Sequence, residues 1–225
     1  MLEGRVTVNG ATVRELGTKA DAAVDDIRVD GRRIKLPERH RYVLLYKPRG
    51  YVTTRVDPQK RPTVLDLLGG VREYIYPVGR LDLNSEGLLL LTNDGDLAAR
   101  LTHPGHGVPR VYEASVAGVP DPHDLDRLAR GVTIDGRRTG PADVQLLHHR
   151  DAQPAMVRVT IREGRNRQVR KMFEAIGHPV YRLKRVAIGP IRDSRLKPGQ
   201  WRDLQNAEVA ALRKSAASSE SRRDR

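Results

Sequence analysis

Four consecutive leucines, Leu88–Leu91, constrain the fold of this chain more than any other feature of its sequence. They lie in the stretch GRLDLNSEGLLLLTNDGDL, residues 79–97, in which polar residues precede and follow the apolar run. A short, continuous apolar run that ends at a turn sequence, here Asn-Asp-Gly, is typical of a strand buried in a protein core. The stretch therefore predicts a core strand, and the presence of Asp82 directly in front of it requires an explanation.

Strand-like segments outnumber helix-like segments along the chain, and several of them are adjacent. Apolar runs and alternating patterns predict strands at 41–47, 86–94, 110–118, 133–136, 142–149, 155–163 and 179–191. Amphipathic spacing and capping residues predict helices at 63–69, 95–103, 121–132 and 165–178. This order favours the α+β class, with a mixed, largely antiparallel sheet flanked by helices.

The N-terminal residues 1–37 form a predicted unit of their own. Two alternating segments have Asn9-Gly10 and Asp30-Gly31 at their centres, which predicts two small hairpins. The segment PERH at 37–40 follows them and is predicted to be a linker.

The remainder of the chain divides into a main unit, residues 41–204, and a C-terminal segment, residues 205–225. This segment is predicted to begin with a helix. It is predicted to end in a disordered basic tail, because KSAASSESRRDR at 214–225 contains no large apolar residue.

The charge of the chain indicates the class of its partner. Forty-one lysines and arginines against 28 aspartates and glutamates give a formal net charge of +13, which attracts polyanions and makes nucleic acid the first partner to consider. No apolar run approaches about 18 residues, which argues against a membrane role. The N-terminus has no apolar signal region and the chain has no cysteine, which together predict a cytoplasmic protein without disulfides or thiol chemistry.

The sequence contains no established cofactor motif and one weak candidate for a metal site. The sequence has no phosphate-binding loop, and Gly105-His106-Gly107 lacks the third glycine of a dinucleotide site. His103 and His106 have a spacing that suits a metal, but they lie among prolines and glycines without an acidic third ligand nearby. The interpretation favoured here is a structural turn, with no metal and no nucleotide cofactor.

The segment EGRNRQVRKMF at 163–173 concentrates positive charge where a loop enters a predicted helix. Its cations are Arg165, Arg167, Arg170 and Lys171. Such a run is most often a solvated helix face. Arg170, however, is adjacent to Val169 on the predicted core-facing side, and an arginine at that edge tends to have a specific partner.

Asp82 is the natural candidate for the partner of Arg170. It lies between Leu81 and Leu83 just before a buried strand, and partial desolvation there disfavours a charged carboxylate unless a cation offsets it. An arginine would keep the aspartate ionised, as a nucleophile requires. A second interpretation, in which Asp82 only caps or turns the chain, remains open at this point.

Four motifs in order resemble the RsuA/RluB/RluE/RluF family of ribosomal RNA pseudouridine synthases, and the resemblance extends from about residue 41 to residue 204. They are LLYKPRGYVTT at 44–54, GRLDLNSEGLLLLTNDGDLAARLTHP at 79–104, RVYEASV at 110–116 and IREGRNRQVRKMFEAIGHPVYRLKRVAIGPI at 161–191. Residues 1–37 resemble the end of an S4 RNA-binding domain. Its two opening helices would precede Met1, so a partial S4-like module is expected.

The resemblance implies a role for each site residue. Asp82 matches the catalytic aspartate, and whether it attacks the base or the sugar stays open. Tyr112 matches the tyrosine that packs against the target base, and Arg170 matches the basic residue paired with the aspartate. The residues expected to bind the substrate are Arg80, Leu183, Arg165, Arg167 and Lys171, with Leu183 as the apolar wall of the pocket and Arg80 holding the rearranged RNA.

The resemblance also implies a substrate and excludes some alternatives. Pseudouridine formation needs no cofactor, and the expected partner is ribosomal RNA or a ribosomal precursor particle, bound by a monomer. The amino-acid sequence of the Asp82 motif is more similar to that of RluB-like members than to that of other members of the family. This similarity favours large-subunit RNA over small-subunit RNA as the substrate. A non-catalytic RNA-binding or assembly factor is disfavoured because Asp82, Tyr112 and Arg170 occur together. A two-carboxylate glycosidase using Asp82 and Glu86 fits the basic charge less well.

Overall fold

The computed structural model describes residues 1–21, 24–34, 40–148 and 154–217, and the chain divides into two compact units, Met1–His40 and Arg41–Arg225. The first unit contains the two hairpins predicted around Asn9-Gly10 and Asp30-Gly31. Most of the predicted linker lies outside the described residues. The antiparallel strands of this unit, in the spatial order β2-β1-β3-β4, are β1 Val6–Val8, β2 Ala11–Thr12, β3 Ile27–Val29 and β4 Arg32–Arg33.

The second unit combines a large sheet with short helices. Its strands are β5 Tyr42–Lys47, β6 Tyr76–Val78, β7 Ser85–Thr92, β8 Arg110–Val116, β9 Thr133–Ile134, β10 Arg137–Arg138, β11 Asp143–His148, β12 Ala155–Ile161, β13 Val180–Ile188, β14 Ile191–Arg192 and β15 Trp201–Asp203. Its α-helices are α1 Gly95–Thr102, α2 Pro122–Arg130, α3 Gln168–Glu174 and α4 Asn206–Ala217. Short 3₁₀ turns occupy Val64–Leu67 and Pro104–His106.

Nine of the described strands form one sheet, with the central order β11-β12-β8-β13-β7-β5-β15 and with β14 and β6 beside β13 and β7. Among the described strands of this sheet, only β13 and β7 pair in parallel. Strands β9 and β10 form a separate hairpin. The mixed, largely antiparallel α+β architecture predicted from the sequence is confirmed.

Strand β7 contains the four leucines and is buried along its whole length. Leu88 and Leu90 pack with helices α1 and α4 on one face of the sheet. Leu89 and Leu91 pack on the other face with strand β5 and the 3₁₀ turn Val64–Leu67. Burying a leucine side chain contributes about 2 kcal/mol, and because both faces are covered, the sequence shows a continuous run rather than an alternation.

Helices α2 and α3 cover strands β8 and β12 and enclose a second part of the core. Helix α2 begins as predicted, because the Asp121 side chain accepts a hydrogen bond from the Asp124 amide and Pro122 occupies the first turn. Helix α3 is shorter than the predicted 165–178. It begins at Gln168 because Arg167 has a φ of 51°, which no α-helical residue adopts.

The C-terminal part of the chain contains the expected helix, α4. This helix includes the first four residues of the segment 214–225 that was expected to be disordered, because Leu212 and Ala216 are buried against the core. The last eight residues lie outside the described ones. The predicted helix at 63–69 is only a four-residue 3₁₀ turn. Within the described residues, no helix has the length and apolar character needed to cross a membrane.

Candidate active site

The loop of residues 79–84, called here the Asp82 loop, connects β6 to β7 and is held by its main chain. The carbonyl oxygens of six consecutive residues, 80–85, all accept hydrogen bonds. The donors, in that order, are Arg185 Nη1 (3.4 Å), Thr53 Oγ1 (2.7 Å), Lys47 Nζ (3.1 Å), the Gly50 amide (2.9 Å), Arg170 Nη2 (3.0 Å) and again Lys47 Nζ (2.8 Å). Because each of these carbonyl groups already has a hydrogen-bond donor, the backbone conformation is fixed in the absence of substrate.

Lys47 provides more of these hydrogen bonds than any other donor. Its side chain is completely buried at the end of β5, and its ammonium also donates to the Pro48 carbonyl at 3.0 Å. Burial lowers the pKa of Lys47 from 10.5 to about 8, against the opposing effect of the nearby Asp82 charge. The sequence analysis did not identify this residue. The sequence feature that could have identified Lys47 is its position at the end of the apolar strand in LLYKPRG.

Arg170 binds the loop in a different way from the predicted one. Within the described residues it forms no salt bridge with Asp82. Its guanidinium donates to the carbonyls of Asn84 at 3.0 Å and Val180 at 2.9 Å. Burial lowers the pKa of Arg170, and the charge of Asp82 opposes this shift. The predicted direct ion pair is therefore corrected to an interaction through space, with the hydrogen bonds of Arg170 directed to two main-chain carbonyls and, at 3.5 Å, to the Ser85 hydroxyl.

Asp82 opens onto a cavity of about 360 Å³. Strands β8, β13 and β7 are neighbours in the sheet, which brings Tyr112 on β8 and Leu183 on β13 to the same cavity. Both side chains are buried, at 7% and 5% exposure. Six of the eight residues predicted for the site line the cavity: Asp82, Tyr112, Leu183, Arg80, Arg165 and Arg167.

The predicted basic residues of the site differ in what their side chains contact. Arg165 donates to two main-chain oxygens of the β9–β10 hairpin, at 3.1 and 2.7 Å. Lys171 lies 2.5 Å from Asp135 in the same hairpin and is outside the cavity lining. Arg167 is exposed at the cavity wall. Arg165 and Lys171 therefore fix the hairpin, while the charge of Arg167 is exposed at the cavity wall.

Two arginines that the sequence analysis missed also line the cavity. Arg185 is 2% exposed and donates from Nε to the Leu88 carbonyl at 2.7 Å. Among the described residues, its Nη2 has no hydrogen-bond partner. Arg110 lies nearby, and burial lowers its pKa, with the charge of Arg185 adding to that effect. Both arginines occur in otherwise alternating strands, where a sequence pattern indicates surface positions.

Other groups considered from the sequence lie away from this cavity. Glu86 is buried but forms an ion pair with Arg182 at 2.6 Å and does not line the cavity. This geometry disfavours a two-carboxylate site. His103 accepts a hydrogen bond at Nδ1 from the Gly105 amide, which is the structural turn that the sequence indicated.

The chain is similar to known proteins along most of its length. A family model described as RNA pseudouridylate synthase matches residues 41–175. The sequence is 43% identical over 212 residues to the ribosomal large subunit pseudouridine synthase B of Bacillus subtilis, covering 94% of this chain and 86% of that protein. It is also 43% identical over 216 residues to an uncharacterized RNA pseudouridine synthase of Aquifex aeolicus, covering 96% and 86%.

A solved structure resembles the fold closely. The crystal structure of a pseudouridylate synthase aligns with a TM-score of 0.71 and 29% sequence identity, and the alignment covers 94% of this chain and 90% of that one.

Proposed function

This chain belongs to the RNA pseudouridylate synthase family, and we propose that it converts a specific uridine of large-subunit ribosomal RNA into pseudouridine. The choice of RNA rests on the similarity to the Bacillus subtilis protein that is named for the large ribosomal subunit. The substrate is ribosomal RNA or a ribosomal precursor particle, encountered in the cytoplasm.

The position of Asp82 is the observation that carries the proposal. Five consecutive carbonyls of its loop and the first carbonyl of β7 accept hydrogen bonds, and its side chain opens onto a cavity whose other walls include Tyr112 and Leu183. A volume of about 360 Å³ lies at the lower end of the range for ligand pockets. The cavity therefore suits one nucleotide that has left its stack.

The reaction needs no atom beyond those of the uridine. The bond between C1′ of the ribose and N1 of the base breaks, and a bond between C1′ and C5 of the same base forms. The proton leaves C5, and N1 gains one, so no oxidant, reductant or second substrate is consumed. Asp82 acts as the covalent nucleophile in this scheme, with either the base or the sugar as its target, and its bond to the nucleotide breaks again before the product leaves.

The surrounding residues hold and orient the flipped nucleotide. Tyr112 presents an aromatic face to the base, Leu183 closes the apolar side of the pocket, and Arg80 and Arg167 bind phosphate groups at its edge. The net charge of +13 steers the RNA toward the protein.

A map of pseudouridine in total ribosomal RNA tests this function. The map is compared between cells that lack the gene, cells that carry the wild-type gene and cells that carry Asp82→Asn. We expect one large-subunit site to vanish on deletion and to return only with the wild type. A small-subunit site would correct the substrate, unchanged maps would indicate a non-catalytic RNA-binding factor, and release of free uracil from RNA by the purified protein would indicate a glycosidase.

A further inference from the structure

A second cavity, of about 580 Å³, lies beside the active-site cavity and is called here the Arg55 groove. The two cavities share the lining residues Gly79, Arg80 and Thr102, so the groove leads into the site. Its other polar lining includes Arg55 and the hydroxyl groups of neighbouring threonines, and none of its lining residues is acidic. A polyanion therefore fits the groove better than any neutral or cationic ligand.

Tyr74 stacks on Arg55, which lines this groove, although Tyr74 itself is not a lining residue. The guanidinium carbon of Arg55 lies 3.6 Å from the centroid of the Tyr74 ring, and its Nη1 donates to the Ile75 carbonyl. Within the described residues, the guanidinium makes no other hydrogen bond. Arg55 thus covers one face of the ring, while its remaining N–H groups stay available in the plane of the stack.

Exposed aromatic side chains are scarce in this protein. Of its nine aromatic residues, only Tyr74, at 69%, and Tyr181, at 63%, have large exposed fractions. Neither tyrosine lines one of the two cavities, but Tyr74 stacks on Arg55 of the groove, whereas Tyr181 lies on β13. Tyr74 therefore combines an open ring face, a fixed guanidinium and a neighbouring groove that leads to Asp82.

We propose that the Arg55 groove binds the nucleotide next to the target uridine. The phosphate of that nucleotide contacts Arg55 and Arg80, and its base stacks on the open face of Tyr74. The ligand class is single-stranded RNA, because a base inside a duplex has no free face for the ring. This inference rests on the proposed function for the identity of the RNA, and its binding prediction is measurable without turnover.

The test measures binding of two RNAs of matched length, a fluorescent 12-nucleotide oligouridylate and a 12-base-pair duplex. Tyr74→Ala should weaken oligouridylate binding about 5- to 150-fold, the loss expected when one base–aromatic stack is removed. Tyr74→Phe keeps the ring and should bind like the wild type. Tyr181→Ala removes the other exposed tyrosine and serves as the matched control, with affinity expected to be unchanged.

Two further measurements separate stacking from charge. An oligonucleotide carrying 2-aminopurine should lose fluorescence on binding to the wild type but not to Tyr74→Ala, because stacking quenches this base. Arg55→Gln should lower the slope of log affinity against log salt by about 0.7, the value for one phosphate contact on a single strand.

Three outcomes would overturn the inference. These are unchanged oligouridylate affinity in Tyr74→Ala, an equal loss in Tyr181→Ala, or a loss in Tyr74→Phe as large as in the alanine variant. Pseudouridine formation by the wild type is measured separately on ribosomal RNA. If the wild type forms no pseudouridine, the proposed function is refuted and the binding result stays valid. If the wild type forms pseudouridine but one of the three binding outcomes above is observed, only the role of the groove is refuted.

Discussion

The ammonium of Lys47 lies 3.1 Å from the carbonyl oxygen of Asp82 and 2.8 Å from that of Ser85. One buried cation thus joins the end of strand β5 to the loop that carries the proposed nucleophile. The register of the sheet makes this possible, because Lys47 is paired with Gly87 of β7 and therefore lies beside the start of that strand. The position of Asp82 consequently depends on the core of the sheet.

The stability of the protein should depend on the titration of Lys47. Its pKa is about 8 in the folded state against 10.5 in the unfolded state, so the unfolded state binds more protons between these values and stability rises with pH there. Relative to Lys47→Met, which cannot titrate, the wild type should gain about 3 kcal/mol of unfolding free energy from pH 7 to pH 10.5. Urea unfolding across this range measures the difference. Lys197→Met, at an exposed position, is the control, and its difference from the wild type should not change with pH. A pH-independent difference between the wild type and Lys47→Met would contradict the burial of the Lys47 charge.

Asp82→Asn should abolish turnover and leave RNA binding nearly intact. The amide keeps the size of the side chain but cannot act as a nucleophile, so the rate should fall by at least about 1000-fold. Nucleoside analysis of treated RNA measures turnover, and fluorescence anisotropy measures binding. Asp126→Asn changes an exposed carboxylate paired with Arg130 and should affect neither. A parallel loss of binding in Asp82→Asn would mean that Asp82 is structural.

Arg170→Ala should lower both stability and activity. The change removes the donor of the half-buried Val180 carbonyl and of the exposed Asn84 carbonyl, which should cost about 1–2 kcal/mol of unfolding free energy. A loosened loop misplaces Asp82, and a displacement of about 1 Å is enough to lower activity 100-fold. Arg170→Lys keeps the charge but not the two-armed geometry, so it should be intermediate.

Urea unfolding and turnover are measured on the same samples of the Arg170 variants. Arg130→Ala, on the surface of α2, is the control and should change stability by less than about 0.5 kcal/mol. If Arg170→Ala loses activity but keeps its full stability, Arg170 acts on the substrate instead of on the loop.

The elements that could be predicted from the sequence are those with local signals. The leucine run defines β7, and Asp121 followed by Pro122 defines the start of α2. Strand β6 was missed because it has only three residues, one of them a proline, and takes its place by pairing with β7. The helix expected at 165–178 is shorter because the backbone at Arg167 takes a left-handed conformation, which no side-chain pattern reports.

The residues of the candidate site also fall into two groups, those with a local sequence signal and those without one. Asp82, Tyr112 and Leu183 were identified from motifs, and the sheet brings them to one cavity. Lys47 and Arg185 were missed because both are buried cations whose acceptors are main-chain oxygens. Every residue has a main-chain carbonyl group, so the sequence does not indicate which carbonyl a buried cation will bind. For the same reason, the sequence suggested the Asp82 carboxylate as the partner of Arg170, whereas the structure shows the main chain around it.

Gly87→Ala should destabilise the protein more than an ordinary glycine substitution in a left-handed conformation. Gly87 has a φ of 108°, and a Cβ added there would overlap the main-chain oxygen of Arg185. Arg185 lies in β13, which cannot move away without breaking its pairing with β7. Gly177 also has a positive φ, 84°, but a Cβ there meets open space. Gly177→Ala should therefore cost about 1–2 kcal/mol, and Gly87→Ala more than about 3 kcal/mol. Urea unfolding of both variants measures this, and equal losses would show that backbone conformation alone, without the contact to β13, requires glycine at 87.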